Sequence, residues 1–159
     1  MQVMKAGDTA PDFELKADDG TTVSLKSFRE MKNVVLCFYP RNHLFACPSK
    51  KVFTMAQSVI AVYPEIESLD AVLFAISVDT VKSQKEFVKE YSVPYHHLSD
   101  TTRETCKAYA GLNIARMAKR STFIIDKKGA VREIIRDIDV KIHGRQIVDT
   151  LKKIQYGNA

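Results

Sequence analysis

Three cysteines and four histidines hold most of the nucleophilic and metal-binding capacity of this chain. Of the thiols at positions 37, 47 and 106, Cys47 is the one placed for reaction. It follows the apolar run Asn33 to Tyr39, "NVVLCFY", which reads as a central strand covered on both faces and ends at Pro40. It precedes Pro48, which suits the first turn of a helix because its missing N–H costs nothing there. The spacing predicts a helix from Pro48 through Tyr63 with Cys47 at its start. Reacting groups gather at the C-terminal ends of such strands. The N–H groups of a helix start favour an anion, so the nucleophilic thiolate is expected to be stabilised.

Other chemistries fit less well. His43 with Cys37 and Cys47, or His96 with His97, supplies donor atoms, but no spacing matches a zinc or copper motif. A dithiol oxidoreductase needs a second cysteine three residues after the first, and Lys50 stands there. No glycine-rich phosphate loop is present. Neither a metal nor a cofactor is therefore expected. Cys37, inside the apolar strand, reads as core. Cys106, three residues before Tyr109 and four before Ala110, reads as a buried thiol on the inward face of a helix.

The elements that must position Cys47 follow from pattern. Asp12 to Leu25, with Asp18-Asp19-Gly20 at its centre, predicts a small hairpin. Ala71 to Val78, "AVLFAISV", is a second buried strand, and Ser83-Gln84-Lys85-Glu86 reads as a capping box opening the next helix. Tyr95 to Leu98 is extended, and Thr101-Thr102-Arg103-Glu104 starts a further helix. Ser121 to Asp126, "STFIID", is a third strong strand, which Lys127-Lys128-Gly129 turns into "AVREIIRD". His143 to Ile154 closes the chain as an amphipathic helix. This alternation is the order of a thioredoxin-like α/β fold, a central mixed sheet flanked by helices, and pattern alone leaves a flavodoxin-like order open.

Length and composition set the remaining bounds. At 159 residues, 45% hydrophobic and 27% charged, the chain fits a single domain over 1–159. Its net charge is +5, yet the basic residues are spread along the chain and interleaved with acids, which argues against a nucleic-acid partner. The absence of a signal-peptide run, a membrane-length stretch or paired cysteine spacing reads as a cytoplasmic protein in a reducing compartment, without a membrane partner.

The stretch "YPRNHLFACPSK" resembles the peroxiredoxin active-site loop, whose pattern is P-x-x-x-T-x-x-C, often continued as F-V-C-P-T-E. Pro40 and Cys47 match the first form, and Phe45, Cys47 and Pro48 match the second. "GDTAPDFEL" at Gly7 to Leu15, "ISVD" at Ile76 to Asp79 and "RSTFIID" at Arg120 to Asp126 are similar to three further segments of the AhpC/TSA superfamily, in the same order. "HHLSDTTRETCKAYAGL" and the short ending "VKIHGRQIVDTLKKI" are similar to the bacterioferritin-comigratory, or peroxiredoxin Q, branch.

The resemblance implies a peroxiredoxin-type thioredoxin fold and a thiol-dependent peroxidase. Its peroxidatic cysteine, Cys47, attacks hydrogen peroxide or an organic hydroperoxide and becomes a sulfenic acid. It implies that Arg120 stabilises the thiolate and orients the peroxide, and that Pro40 shields the thiolate from water. It implies an external thiol reductant such as thioredoxin or glutaredoxin, and a monomer or small homodimer.

Two positions depart from the family pattern. Leu44 stands where the family has the threonine whose hydroxyl bonds the peroxide. Lys50 stands where the C-P-T-E form has a glutamate that holds the arginine, so it repels Arg120 while its charge depresses the thiolate pKa. His43 offers a donor and an acceptor nearby, although a solvent-facing loop histidine is the plainer reading. The branch's resolving positions carry Val52 and Val88, which form no disulfide, and leave Cys106 as the remaining candidate resolver. A one-cysteine cycle follows, with a weakened or inactive redox-sensing or binding module as the alternative.

Overall fold

The computed structural model describes residues 3–44 and 47–157, with Leu44, Cys47 and Pro48 described through their backbones alone. The chain begins with a hairpin, β1 (Glu14–Ala17) and β2 (Thr22–Ser24), whose turn holds Asp18-Asp19-Gly20 as expected. A short 3₁₀ helix at Leu25–Phe28 leads to β3 (Asn33–Phe38). Then come two-residue strands β4 (His43–Leu44) and β5 (Cys47–Pro48), α1 (Lys50–Ser68), β6 (Ala71–Ser77), α2 (Val81–Tyr91) and β7 (His96–Ser99). α3 (Glu104–Tyr109), β8 (Ser121–Ile125), β9 (Val131–Ile135) and α4 (His143–Tyr156) complete it.

Seven strands form one sheet in the order β2-β1-β7-β6-β3-β8-β9. β3, β6 and β7 run parallel, whereas β8 pairs antiparallel with β3, and β9 with β8. A flavodoxin-like sheet is parallel throughout, so the antiparallel β8 and β9 decide for the mixed, thioredoxin-like arrangement.

β3 explains why the sheet is legible as an apolar run. Val35, Cys37 and Tyr39 point into a core shared with α1 and α4, while Val34, Leu36 and Phe38 point into a second core with Tyr109 of α3 and Phe13 near the N-terminal hairpin. Strand side chains alternate between faces, so a strand covered on both must be apolar at every position. α1 and α4 approach closely at Gly144: a Cβ there would lie 2.1 Å from the Ser58 carbonyl oxygen. The Gly144 N–H donates to Ser58 Oγ at 3.2 Å across the same contact.

Four expectations about helix ends are corrected. α1 begins at Lys50, with Ser49 as N-cap, because Pro48 and Cys47 pair with His43 and Leu44 in a short ladder. Proline fits such an edge ladder because its position needs no N–H. α1 also runs past Tyr63 and through Pro64 to Ser68, where burial of Ile66 outweighs the backbone bond that proline removes. α2 opens at Thr80, whose side chain accepts from the Ser83 N–H at 3.1 Å, so Ser83 is an interior residue and not a cap. α3 starts only at Glu104, after Arg103 adopts a left-handed φ of 68°.

Candidate active site

The site grows from one end of the β3–β8 pair. Phe38 is in register with Ser121, which sets Arg120, immediately before β8, beside the chain as it leaves β3 through Tyr39 and half-buried Pro40. The β4–β5 hairpin springs from the same point and carries the Cys47 backbone opposite Leu44. Pro40 and Arg120 thus lie at the end of the β3–β8 pair, and the hairpin that carries Cys47 follows Pro40 in the chain. Phe45 lies outside the described residues.

Helix support for Cys47 is corrected by the same geometry. With α1 starting at Lys50, Cys47 stands two residues before the N-cap. The Cys47 backbone therefore lies outside the first turn, within which dipole effects are felt. Lys50 is the first helical residue and is exposed, with Lys51 beside it, and no acid occupies that turn. His43 is half-buried in β4.

Arg120 is half-buried, and loss of solvent lowers its pKa from the usual guanidinium value. Its Nη1 faces the Met55 sulfur of α1 at 3.5 Å, and among the described residues it forms no ion pair. A thioether is a weak acceptor, so the guanidinium keeps most of its donors for other groups. Beneath it, buried His143 bonds Thr122 Oγ1 at 2.7 Å through Nε2 and Gln146 Oε1 at 2.8 Å through Nδ1. Burial, with the Arg120 charge in addition, lowers the His143 pKa despite the Gln146 bond.

The two other cysteines are buried free thiols. Desolvation pushes Cys37 up to about 12 and raises Cys106 as well, where the Asp100 charge adds to the burial. Both are thereby kept as unreactive thiols at neutral pH. Val52 is buried in α1, and Val88 packs against the same core.

Sequence reasoning missed a polar network directly under the hairpin. Tyr39, Asn42, Gln84, His97 and Ser77 are buried, and with Asp79 and Ser83 they form one hydrogen-bonded group. The Tyr39 hydroxyl lies 2.6 Å from Asn42 Oδ1, 2.9 Å from Gln84 Oε1 and 2.8 Å from His97 Nδ1. Gln84 donates through Nε2 to the Leu98 carbonyl and to Ser77 Oγ, both at 2.9 Å, which fixes its amide orientation. Asn42 Nδ2 donates to Gln84 Oε1 at 2.9 Å and Ser83 Oγ at 3.1 Å.

Donor counting then sets the histidine tautomer. The single Tyr39 hydrogen is taken by the amide oxygens, so Nδ1 of His97 carries a proton and donates to the hydroxyl oxygen. Its Nε2 is left as a buried acceptor with no partner among the described residues, on a ring that borders a cavity of about 10 Å³. Desolvation, with His96 adding to it, lowers the His97 pKa to about 3. The available signal was polar residues breaking apolar patterns: His97 inside a strand and Gln84 on a helix's inner face.

Comparison with known proteins fits this geometry. The AhpC/TSA family model matches residues 6–134. Peroxiredoxin Bcp of Bacillus subtilis is 30% identical over 94% of this chain and 96% of its own length. The chloroplastic peroxiredoxin Q of Triticum aestivum is 34% identical over 94% of this chain and 66% of its own. The crystal structure of peroxidoxin BcpB from Mycobacterium tuberculosis superposes with a TM-score of 0.83 at 27% identity, covering 95% of this chain and 98% of that one. A mutant PrxQ from Xylella fastidiosa shares the fold, with a TM-score of 0.87 at 23% identity over 98% and 99% of the two chains.

Fold and site together define a peroxiredoxin-type thioredoxin fold, the class of thiol peroxidases. The chain belongs to the AhpC/TSA family and is similar to its Bcp and peroxiredoxin Q members.

Proposed function

We propose that Cys47 is the peroxidatic thiolate and that hydrogen peroxide or an organic hydroperoxide is its substrate. The observation that supports this reading is the β3–β8 register, which sets Arg120 beside the end of β3 from which the chain runs through Pro40 to the hairpin carrying Cys47. The Cys47 sulfur attacks the distal oxygen, an S–O bond forms as the O–O bond breaks, and the departing oxygen takes a proton and leaves as water or an alcohol. The sulfur is oxidised to the sulfenic acid, and the peroxide is reduced. Arg120 supplies fixed charge and donors to the thiolate and the departing oxygen, and Pro40 limits water access.

Resolution by an external thiol, of the thioredoxin or glutaredoxin kind, is supported by the state of the internal cysteines. Cys106 is fully buried and its thiol is raised by burial, so α3 would have to open before it met Cys47. The thiol reductant attacks the sulfenic sulfur, releases water and forms a mixed disulfide, which a second thiol reduces.

A second reading, a weakened redox-responsive or binding module, is favoured by one observation: the group on Arg120 is the Met55 thioether and not a carboxylate. Leu44 adds to it by removing the hydroxyl that the family places on the peroxide. Leu44→Thr separates the two readings. A gain of about 10²–10³ in the Cys47 oxidation rate is the expected return of one transition-state hydrogen bond. No gain in an unreactive protein would favour the second reading.

A further inference from the structure

Asn42 is completely buried two residues after the strand-ending proline, and each of its polar groups is engaged. Its N–H donates to Asp79 Oδ2 at 2.9 Å. Its carbonyl accepts from the Ser49 N–H at 3.1 Å, at the N-cap of α1, whose own carbonyl accepts from Phe53. Its side chain accepts from Tyr39 and donates to Gln84 and Ser83. The stretch holding Cys47 is thus bracketed. On one side Leu44 and His43 pair with Cys47 and Pro48, and on the other Ser49 returns to Asn42.

We infer that Asn42 is a positioning residue for Cys47, fastening the base of the β4–β5 hairpin to β6, α2 and β7 through the Tyr39–Gln84–His97 network. The inference rests on Cys47 being the reacting thiol. Directional bonds are what make the fastening specific. An apolar side chain at position 42 would slide over its neighbours at little cost, whereas a shift of this amide leaves buried donors and acceptors unpaired. The network therefore holds the hairpin in one place relative to Arg120, whose own position is set separately by β8.

The test uses full-length Asn42→Ala, Tyr39→Phe and the double variant. For each, three quantities are measured: the second-order rate of Cys47 with hydrogen peroxide, the pH profile of Cys47 alkylation, and amide exchange at Ser49 and Phe53. Misplacement of the thiol by about an ångström should slow Asn42→Ala by roughly tenfold to a hundredfold towards peroxide. Exchange at Ser49 should rise more than at the amides of β3 and β6, and the alkylation profile should shift, a local pattern that a loss of global stability alone would not produce. Because both substitutions break one network, the double variant should be no slower than Asn42→Ala.

An unchanged peroxide rate and alkylation profile in folded Asn42→Ala would overturn the inference, as would additive losses in the double variant. Should Asn42→Ala not fold, Tyr39→Phe decides: slowing supports the inference and an unchanged rate overturns it. If wild-type Cys47 reacts no faster than free cysteine, the peroxidase reading fails by itself. Exchange at Ser49 then decides the fastening, which stands if Asn42→Ala raises it and falls if it does not.

Discussion

The two ends of the β3–β6 pair are secured by opposite kinds of polar contact. At the Asn33 end, Asp70 carries Lys32 at 3.1 Å and Lys127 on its other oxygen, with all three side chains more than a third exposed. Hydrogen bonds from Lys127 and then Lys32 hold the Asp70 carboxyl below the usual carboxylate range. At the Phe38 end, Tyr39, Asn42, Gln84 and His97 are buried neutral groups joined by directional bonds. Exposed pairs are screened and tolerate several geometries, whereas a buried network accepts one. Precision is concentrated at the end of the sheet from which the chain leaves β3 towards the β4–β5 hairpin.

The largest effect should come from the charge at that end. Arg120→Met should slow Cys47 oxidation by about 10²–10³, the loss of a preorganised donor to the developing charge, read by competition against a peroxidase of known rate. A wild-type rate would detach Arg120 from the site. Next, Tyr39→Phe should lower stability to urea by about 1–3 kcal/mol, because it leaves Asn42 Oδ1 and His97 Nδ1 without their shared partner. A neutral outcome would mean that the network is no tighter than the exposed end.

Acid should also act on the buried end. His97 is held to about 3 when folded and returns to about 6.5 when unfolded, so the unfolded chain binds the extra proton between these values. Its stabilising contribution is fully present above about 6.5 and falls progressively as pH drops towards 3. Buried His143 shifts in the same direction, so the test is a difference: His97→Gln should flatten the urea-midpoint curve between pH 6.5 and 3 relative to wild type. Parallel curves would place the proton elsewhere. The smallest effect is expected from Asp70→Asn, a slight loss of thermal stability at low salt that disappears as salt is raised. A loss that persists in high salt would show that the exposed end is also tightly built.

The same contrast explains what could be read from sequence. β3, β6 and β8 were legible because both their faces are covered, and Asp18-Asp19-Gly20 announced its turn. The start of α1 was not legible, because Pro48 suits a helix start and a short ladder equally. The choice is made by Ser49 bonding back to Asn42. Ser83-Gln84-Lys85-Glu86 has the spacing of a capping box, yet Ser83 and Gln84 both bond Asn42, 41 and 42 residues away, a contact made across the fold. Local pattern reports local bonds. Asn42 and His97 are decided by partners far along the chain, as in the Tyr39–His97 bond across 58 residues and the bond from the His97 N–H to Asp18 Oδ1 across 79.

The most direct test of the account is the second-order rate at which hydrogen peroxide oxidises Cys47 in the reduced protein, followed by intact mass beside Cys47→Ser. The account predicts a rate far above that of free cysteine, absent from the variant, with Cys37 and Cys106 unmodified. A rate no faster than free cysteine would contradict it, leaving the fold in place and Cys47 without the chemistry that its position suggests.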